Sequence, residues 1–229
     1  MKPFLPESIP LVIAPDGVDS DWLEQTISSV EARHELGLSD EKRSIAVYTG
    51  HLYQGRGIEL IISLAKRMKD YLFLIVGGGE NDIMRYRDQT VGVSNLRFEG
   101  FQSPSKVFLY LRAADVLMMP YGNRVQVSGG GDVSSFFSPI KMFEYMAAGR
   151  PILASRLSVL QEVLHDDSNA LLLPYDEPQR WCDALIRLKN DSDFGERLAS
   201  QAHSDVAQYT WKNRAERLLQ ETDVHEASR

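Results

Sequence analysis

Cysteine is nearly absent from this chain: Cys182 is the single one among 229 residues. One cysteine excludes an intrachain disulfide and any zinc site that is built from several cysteines. A basic excess is also lacking, because 25 lysines and arginines stand against 32 aspartates and glutamates, and the formal charge is −7. This balance argues against a general nucleic-acid-binding protein. It leaves room for a local basic pocket that takes one small anion.

Long apolar segments are missing as well. No stretch approaches the roughly 20 apolar residues that a membrane-spanning helix needs, and the longest apolar blocks, such as 71–76, have the length of a strand. The first ten residues, MKPFLPESIP, contain one lysine and no long apolar core, so they do not predict a signal peptide. We therefore expect a cytoplasmic protein without a transmembrane segment.

The composition that remains is that of a globular protein, with 43% hydrophobic and 25% charged residues. Short apolar runs alternate with segments in which apolar residues recur at helical spacing. Six runs have the length of a strand: IAVYT (45–49), LFLIV (72–76), LRF (96–98), DVLMMP (115–120), PILA (151–154) and ALLL (170–173). Such continuous apolar strands are typical of a parallel sheet covered by helices on both faces. The predicted fold class is α/β, with a doubly wound, Rossmann-like parallel sheet.

Several polar residues and prolines indicate where helices begin. Ser103-Pro104 and Ser138-Pro139 each fit an N-cap followed by a first-turn proline, and the second helix is predicted to end at Gly149. A single helix is predicted over Trp22–Leu36 with Asp21 as its cap. Three more helices, which form a C-terminal tail, are predicted over 178–189, 193–209 and 211–221.

Glycine-containing turns follow four of the predicted strands. They are Gly50-His51, Gly77-Gly78-Gly79, Gly100-Phe101 and the loop that leads into Ser138. Ligands of an open parallel sheet bind beyond the carboxyl ends of its strands. Glycine-rich turns there allow backbone amides to approach a phosphate closely. The sequence therefore predicts one ligand-binding edge.

The helix that begins at Pro139 carries the most informative residues of that edge. Its free amides, from Ile140 onward, form an anion site at the positive end of the helix dipole. Lys141 and Glu144 share one face of the helix, and Glu144 lies about 9 Å along the axis from the helix start. A carboxylate at that place is suited to accept two hydrogen bonds from a ribose diol. Taken alone, an exposed Lys–Glu pair on an amphipathic helix is the more common explanation of this spacing.

Several of these segments together resemble a known family of enzymes. The run SPIKMFEYMAAGRPILAS (138–155), with IAVYTGHLYQGRGIELIISLA, LFLIVGGG, LRFEGF and AADVLMMPY, is similar to the C-terminal donor domain of family-four (group 1) retaining glycosyltransferases, which have the two-domain GT-B fold. By this resemblance, residues 1–20, with a strand-like run at 9–15, are an interdomain junction. Residues 21–229 form one nucleotide-sugar-binding domain that includes the C-terminal helices. The N-terminal acceptor domain is expected to be absent.

The resemblance implies transfer of a glycosyl group, with retention, from a nucleotide diphosphate sugar to an acceptor. The acceptor, a glycan, a lipid or a small molecule, is expected to bind through the missing domain, which would also supply any peripheral membrane contact. No cofactor and no metal are expected, since fixed positive charge and helix amides stabilise the leaving diphosphate. The chain alone is expected to bind the donor and to transfer sugar poorly or not at all.

The family's diphosphate-binding motif falls on Gly50, His51, Arg56 and Gly57. The resemblance implies that both basic side chains bind the donor diphosphate and that Arg56 stabilises the departing nucleotide, as a catalytic residue. His51 stands where the family usually has arginine, and imidazole is neutral for part of the time near pH 7. An equal alternative for His51 is a turn residue that bonds to backbone.

The family's pair of glutamates, separated by seven residues, is only half present. Its second member falls on Glu144, which is implied to hold the ribose, whereas Phe136 occupies the place of the first. We predict that Asp132 partly replaces the missing carboxylate in catalysis. The phosphates are predicted to lie against Ser138 and the amides of Ile140 and Lys141. The base is predicted beside the turn after the third strand, near Gly100, Phe101 and Gln102. Core packing is an equal alternative for Phe101.

Other functions remain open. Asp19-Ser20-Asp21 and Asp191-Ser192-Asp193 imitate a DxD metal motif, but both precede predicted helices and are interpreted as N-caps, so no metal site is predicted. A nicotinamide-binding domain is a weaker candidate, because Asp82 stands where G-x-G-x-x-G requires its third glycine. A non-catalytic nucleotide-sugar-binding or regulatory module is the main alternative. Phe136 and His51 favour it, whereas Arg56, Lys141 and Glu144 oppose it.

Overall fold

The computed structural model of this chain describes residues 14–126, 131–132 and 138–226. Phe136 and all but the last two residues of the strand predicted over 9–15 lie outside the described residues. Six strands form one sheet: β1 (Ser44–Thr49), β2 (Tyr71–Val76), β3 (Leu96–Gly100), β4 (Val116–Met119), β5 (Ile152–Ser155) and β6 (Leu171–Leu173). Their order is β3-β2-β1-β4-β5-β6, and every neighbouring pair is parallel. The predicted doubly wound parallel sheet is confirmed.

Ten α-helices and one short 3-10 helix, Asp88–Thr90, accompany the sheet in the described residues. The α-helices are α1 (Ser20–Glu24), α2 (Ser29–Glu35), α3 (Ile58–Arg67), α4 (Glu80–Met84), α5 (Pro104–Ala113), α6 (Ile140–Ala147), α7 (Ser158–Gln161), α8 (Pro178–Asn190), α9 (Ser192–Val206) and α10 (Trp211–Glu226). The last three are the predicted C-terminal tail. Among all the residues that the structure describes, no helix combines the length and the apolar character needed to cross a bilayer.

Alternate residues of the central strand face opposite layers of helices. Ile45 and Val47 of β1 belong to one buried cluster, whereas Ala46 and Tyr48 belong to another. All four are nearly inaccessible to solvent. Because successive side chains of a strand point to opposite faces, both faces of β1 must be covered, and this explains why its sequence is a continuous apolar run.

The entry segment folds differently from its prediction. One helix over Trp22–Leu36 with Asp21 as cap is wrong, because the structure has two helices, α1 and α2, with a break between them. The break comes from Ser28, whose Oγ accepts the amide of Glu31 while the Glu31 carboxylate accepts the amide of Ser28. This capping box satisfies two helix-terminal amides at once, so it fixes a new helix start at Ser29.

The two DxD-like segments do precede helices, but only one caps with its side chain. Asp191 Oδ1 accepts the amide of Phe194 at 3.0 Å, as an N-cap should. Asp19 occupies the cap position of α1 without a side-chain capping hydrogen bond. Within the described residues, no group of three histidine, cysteine, aspartate or glutamate side chains is placed to hold one metal ion.

Candidate functional site

A cavity of about 500 Å³ opens at the carboxyl ends of β1 and β2. The predicted glycine turns after β1, β2 and β3 all border it, together with α6. Its lining comprises Trp22, Thr49, Gly50, His51, Val76, Gly77, Gly78, Gly79, Asp82, Phe101, Gln102, Pro104, Val107, Lys141 and Glu144. The structure thus brings together six of the predicted site residues: Gly50, His51, Phe101, Gln102, Lys141 and Glu144.

The base of the cavity is made by two glycine turns that touch. Hydrogen bonding between the strands continues past their ends, since Gly50 donates its amide to Val76 at 2.8 Å and Gly77 donates its amide to Gly100 at 2.7 Å. Gly50 and Gly77 both have φ of 120°. A Cβ on Gly77 would lie 2.3 Å from the carbonyl oxygen of Gly50. Only glycine permits both this backbone conformation and this close approach.

Replacing Gly77 by alanine is expected to destabilise the protein, because the new methyl group would meet the Gly50 backbone. A cost of about 2–4 kcal/mol combines this overlap with left-handed strain. Gly92→Ala is the matched control, since Gly92 also has a positive φ but a Cβ added there would meet nothing within 4 Å. Urea denaturation should show a clearly larger loss for Gly77→Ala, and equal losses would contradict this account.

Helix α6 is anchored to the end of the central strand. The Tyr145 hydroxyl accepts the amide of Thr49 at 2.8 Å, and the ring is fully buried. Lys141, one turn before Tyr145, and Glu144, the residue immediately before it, both line the cavity. The helix therefore presents a cation and a carboxylate to the same space, at a place fixed by the sheet.

Lys141 is largely enclosed rather than exposed. Its Nζ donates to the Thr49 carbonyl and lies 4.0 Å from the centre of the Tyr48 ring and 5.2 Å from that of Tyr121. Burial holds the pKa of Lys141 well below its usual value, and the nearby positive charge of Arg56 lowers it further. The ammonium group thus lacks the hydration that it has in water. A bound anion would stabilise its charged form.

Glu144 is also largely buried. Burial raises the pKa of its carboxyl group; the charge of Lys141 opposes this effect, and the charge of Asp19 on the entry segment adds to it. Among the described residues, no hydrogen bond to the Glu144 carboxylate is present. An ionised carboxylate has room for about four donors, so this group is available to hydroxyl groups of a ligand.

Arg56 lies next to this cavity without lining it. Its guanidinium carbon is 5.1 Å from the centre of the Tyr121 ring, and one terminal nitrogen donates to the Gln126 carbonyl at 3.4 Å. Its Nε is buried and has no hydrogen-bond partner in the described part of the chain. Asp132 also lies outside the lining: its Oδ1 accepts the amide of Val125 at 3.3 Å. Both remain predicted catalytic residues.

The start of α6 differs from its prediction. Pro139, not Ser138, occupies the cap position, and no side chain caps the helix. Ser138 fails as the cap because its Oγ accepts the amide of Asp16 on the entry segment at 3.0 Å. Ile140 is 47% exposed and, like Ser138, does not line the cavity. By contrast, Ser103 caps α5 as predicted, with its Oγ accepting the amide of Lys106.

The turn residues opposite α6 are accessible. Phe101 is 85% exposed, so core packing is wrong for this side chain. Gln102 donates its amide to the Glu99 carbonyl at 2.6 Å, which orders the turn after β3. The His51 ring stacks on Tyr53 with centroids 4.9 Å apart. An exposed aromatic ring at a cavity rim is suited to stack on a planar base.

Sequence reasoning did not assign Trp22 to the site. Trp22 lines the cavity and packs edge-on against Phe108, with ring centroids 5.1 Å apart. Its place depends on α1 contacting α6, which no local pattern in the sequence indicates. Asp82 also lines the cavity, where its carboxylate accepts the amide of Gly79 and pairs with Arg85.

The fold and the cavity define the class of protein: an α/β domain with a Rossmann-like parallel sheet and a ligand-sized cavity at the carboxyl ends of its strands. Sequence comparison gives the family. The chain belongs to the family Glycosyl transferases group 1, whose model matches residues 43–191. The predicted resemblance is therefore confirmed.

One relative is a D-inositol 3-phosphate glycosyltransferase from Corynebacterium urealyticum, 28% identical over 202 residues, which cover 82% of this chain and 45% of that protein. Among solved structures, sucrose-phosphate synthase from Thermosynechococcus elongatus matches with a TM-score of 0.75 at 21% identity, covering 94% of this chain and 53% of that one. Anabaena HepE in complex with UDP and glucose matches with a TM-score of 0.72 at 16% identity. The match covers 92% of this chain and 55% of that one. These structural neighbours are GT-B enzymes. The chain spans about half the length of the curated relatives that it matches.

Proposed function

We propose that this chain binds the nucleoside diphosphate sugar of a glycosyltransferase, with the diphosphate at Lys141 and the ribose at Glu144. The observation that carries the proposal is that one short helix presents both side chains to a single cavity at the carboxyl edge of the sheet. About 500 Å³ is ample for a nucleotide. The HepE structure contains UDP in a protein of the same fold, which supports a nucleotide in this class of domain.

Lys141 is proposed to supply positive charge beside the turn in which His51 replaces the family's usual arginine. A Cβ on Gly50 would lie 2.8 Å from Lys141 Nζ, so the ammonium group lies directly beside the turn that follows β1. Arg56 is near enough to depress the pKa of Lys141. Two cations that repel one another in a poorly hydrated place are a favourable site for a diphosphate, whose charge relieves the repulsion.

The proposed role in catalysis is electrostatic. Positive charge at Lys141 and Arg56 would stabilise the diphosphate as it leaves the sugar, without a metal ion. Phe101 is proposed to stack on the base, and Asp132 to act near the donor sugar. Retention at the anomeric carbon and an acceptor bound by a further domain are parts of the same proposal, as is poor transfer by this chain alone.

Calorimetric titration with UDP, GDP, ADP and dTDP tests the proposal. We expect at least one nucleotide to bind and the corresponding nucleotide sugar to compete for the same site. Addition of that nucleotide sugar with candidate acceptors tests the catalytic part of the proposal. This chain alone should release the nucleotide slowly or not at all, and rapid acceptor-dependent release would contradict that part. Absence of binding by all four nucleotides would refute the proposal.

Binding of the nucleotide diphosphate is expected to weaken at both high and low pH. Burial lowers the pKa of Lys141, so above this pKa the ligand must restore a proton, and affinity falls by up to about tenfold per pH unit. Burial raises the pKa of Glu144, so affinity also falls as the pH drops through that value and the carboxylate is lost. Calorimetry across the pH range should show that Lys141→Met flattens the alkaline limb and Glu144→Gln the acidic limb. These assignments would be contradicted if Lys141→Met kept the loss of affinity at high pH and Glu144→Gln kept the loss of affinity at low pH.

A further inference from the structure

A second cleft, of about 610 Å³, lies at the opposite edge of the sheet from the donor cavity. It opens beside Asp115 and Pro151, the residues that immediately precede β4 and β5. Helix α9 forms the other wall and contributes Ser192, Glu196 and Ser200. Since the donor cavity lies at the carboxyl ends of the strands, a ligand in this cleft would not touch it.

Arg150 is the unusual residue of the cleft. Its Nε is buried and has no hydrogen-bond partner among the residues that the structure describes. Burial lowers the pKa of Arg150, the positive charges of Arg112 and Arg33 lower it further, and Asp115 partly opposes them. A guanidinium remains charged under these conditions. The fold therefore holds a partly buried cation that forms no ion pair with a side chain of the described residues.

The other cationic groups at this edge are already in use. Arg112 donates to the carbonyls of Ile27 and Ala148, at 2.9 and 2.8 Å. His203 Nδ1 lies 3.0 Å from the Ala147 carbonyl. The carbonyls of Ala147 and Ala148 lie at the C-terminal end of α6, where positive charge is stabilising. Arg112 and His203 thus serve the helix terminus, and Arg150 does not.

The nearest carboxylate acts on Arg150 only at a distance, because its ion pair is with another arginine. Asp115 forms an ion pair with Arg33 at 2.8 Å and accepts the amide of Ile45 at 2.7 Å. Glu196 is exposed on α9. Burying an arginine without a partner costs free energy, and an anion that enters the cleft would recover it.

We propose that this cleft binds a phosphate group, either inorganic phosphate or a small phosphate monoester, through Arg150. The two terminal nitrogens of the Arg150 guanidinium match two phosphate oxygens, and Arg112 adds positive charge at the same wall. The Ser192 and Ser200 hydroxyls of α9 line the same space and are able to donate to the remaining oxygens. The cleft exceeds the volume of a bare phosphate, so it also accommodates the organic part of a monoester. The proposal is independent of the donor site.

Thermal unfolding of the full chain, with inorganic phosphate and glycerol 3-phosphate as probes, tests the proposal. A ligand that binds the native state raises the melting temperature with concentration. We expect Arg150→Gln to weaken the apparent affinity about tenfold or more, as loss of a bidentate charged contact should. A larger shift with glycerol 3-phosphate identifies a monoester site, and a larger shift with phosphate identifies the inorganic ion.

Two further variants make the test specific. Arg180→Gln removes an exposed arginine elsewhere and should keep the full response. Ser200→Glu places a carboxylate in the cleft from an exposed helix position and should abolish the response even if Arg150→Gln folds poorly. Phosphate also stabilises proteins non-specifically. A wild-type response that Arg150→Gln and Ser200→Glu retain, or no wild-type response, would overturn the proposal.

Discussion

Replacement of Glu144 by glutamine is expected to weaken binding of the nucleoside diphosphate by roughly 10- to 100-fold, because hydrogen bonds to a charged group contribute about 1.5–3 kcal/mol. The carboxylate lies in the cavity without a hydrogen bond to any described residue, so its acceptors are available to a ribose diol. Glutamine keeps the size of the side chain but loses the charge and one acceptor. Burial raises the pKa of Glu144, so its ionised form is the more costly one in the free protein.

The stability of Glu144→Gln should therefore equal or exceed that of the wild type while its affinity falls. Calorimetric titration gives the affinity and urea denaturation the free energy of unfolding. Glu162→Gln, a change at an exposed glutamate outside the cavity, should alter neither quantity. Unchanged affinity in Glu144→Gln would remove the ribose assignment.

Replacement of Lys141 by methionine is expected to produce a loss of similar size through a different part of the ligand. The affinity for a nucleoside monophosphate should fall less than that for a diphosphate, because the ammonium group is assigned to the second phosphate as well as the first. A loss of about 1.5–3 kcal/mol is expected for the diphosphate, as is typical of a charged hydrogen bond.

Stability again separates binding from folding. Lys141 Nζ is enclosed by two aromatic rings and the Thr49 carbonyl, and methionine fills a similar volume without the cost of a poorly hydrated charge. The free energy of unfolding should stay within about 1 kcal/mol of the wild type. Lys66→Met on the exposed side of α3 is the matched control. A variant that unfolds more readily yet binds normally would show that Lys141 is structural.

The fold could be predicted from the sequence because its strands are buried on both faces. A run such as LFLIV at 72–76 has no polar residue, and this is possible only where helices cover the sheet on each side. The observed strand β2 is fully buried along its length. In a parallel sheet the carboxyl ends of the strands lie along one edge. Gly50, Phe101 and Lys141 could therefore be placed together at that edge from the sequence alone.

What the sequence could not supply are contacts between segments far apart in the chain. Ser138 looks like a cap, but the amide of Asp16 takes its hydroxyl oxygen, across 122 positions. Trp22 reaches the cavity only because α1 packs near α6. Arg56 lies outside the lining, in contact with Tyr121 and Gln126, and no local pattern specifies the path of that segment. Each outcome depends on tertiary packing rather than on propensity.

The order of the strands also determines how the chain assembles. Strand β1 pairs with β2, which follows it closely, and with β4. Between β1 and β4 the chain forms strands β2 and β3 and the α-helices α3, α4 and α5. The β1–β2–β3 half can form from neighbouring segments, whereas the second edge of β1 stays open until β4 arrives. An unpaired apolar edge favours self-association, and a distant pairing slows folding. Dilution during refolding should therefore raise the yield of native protein.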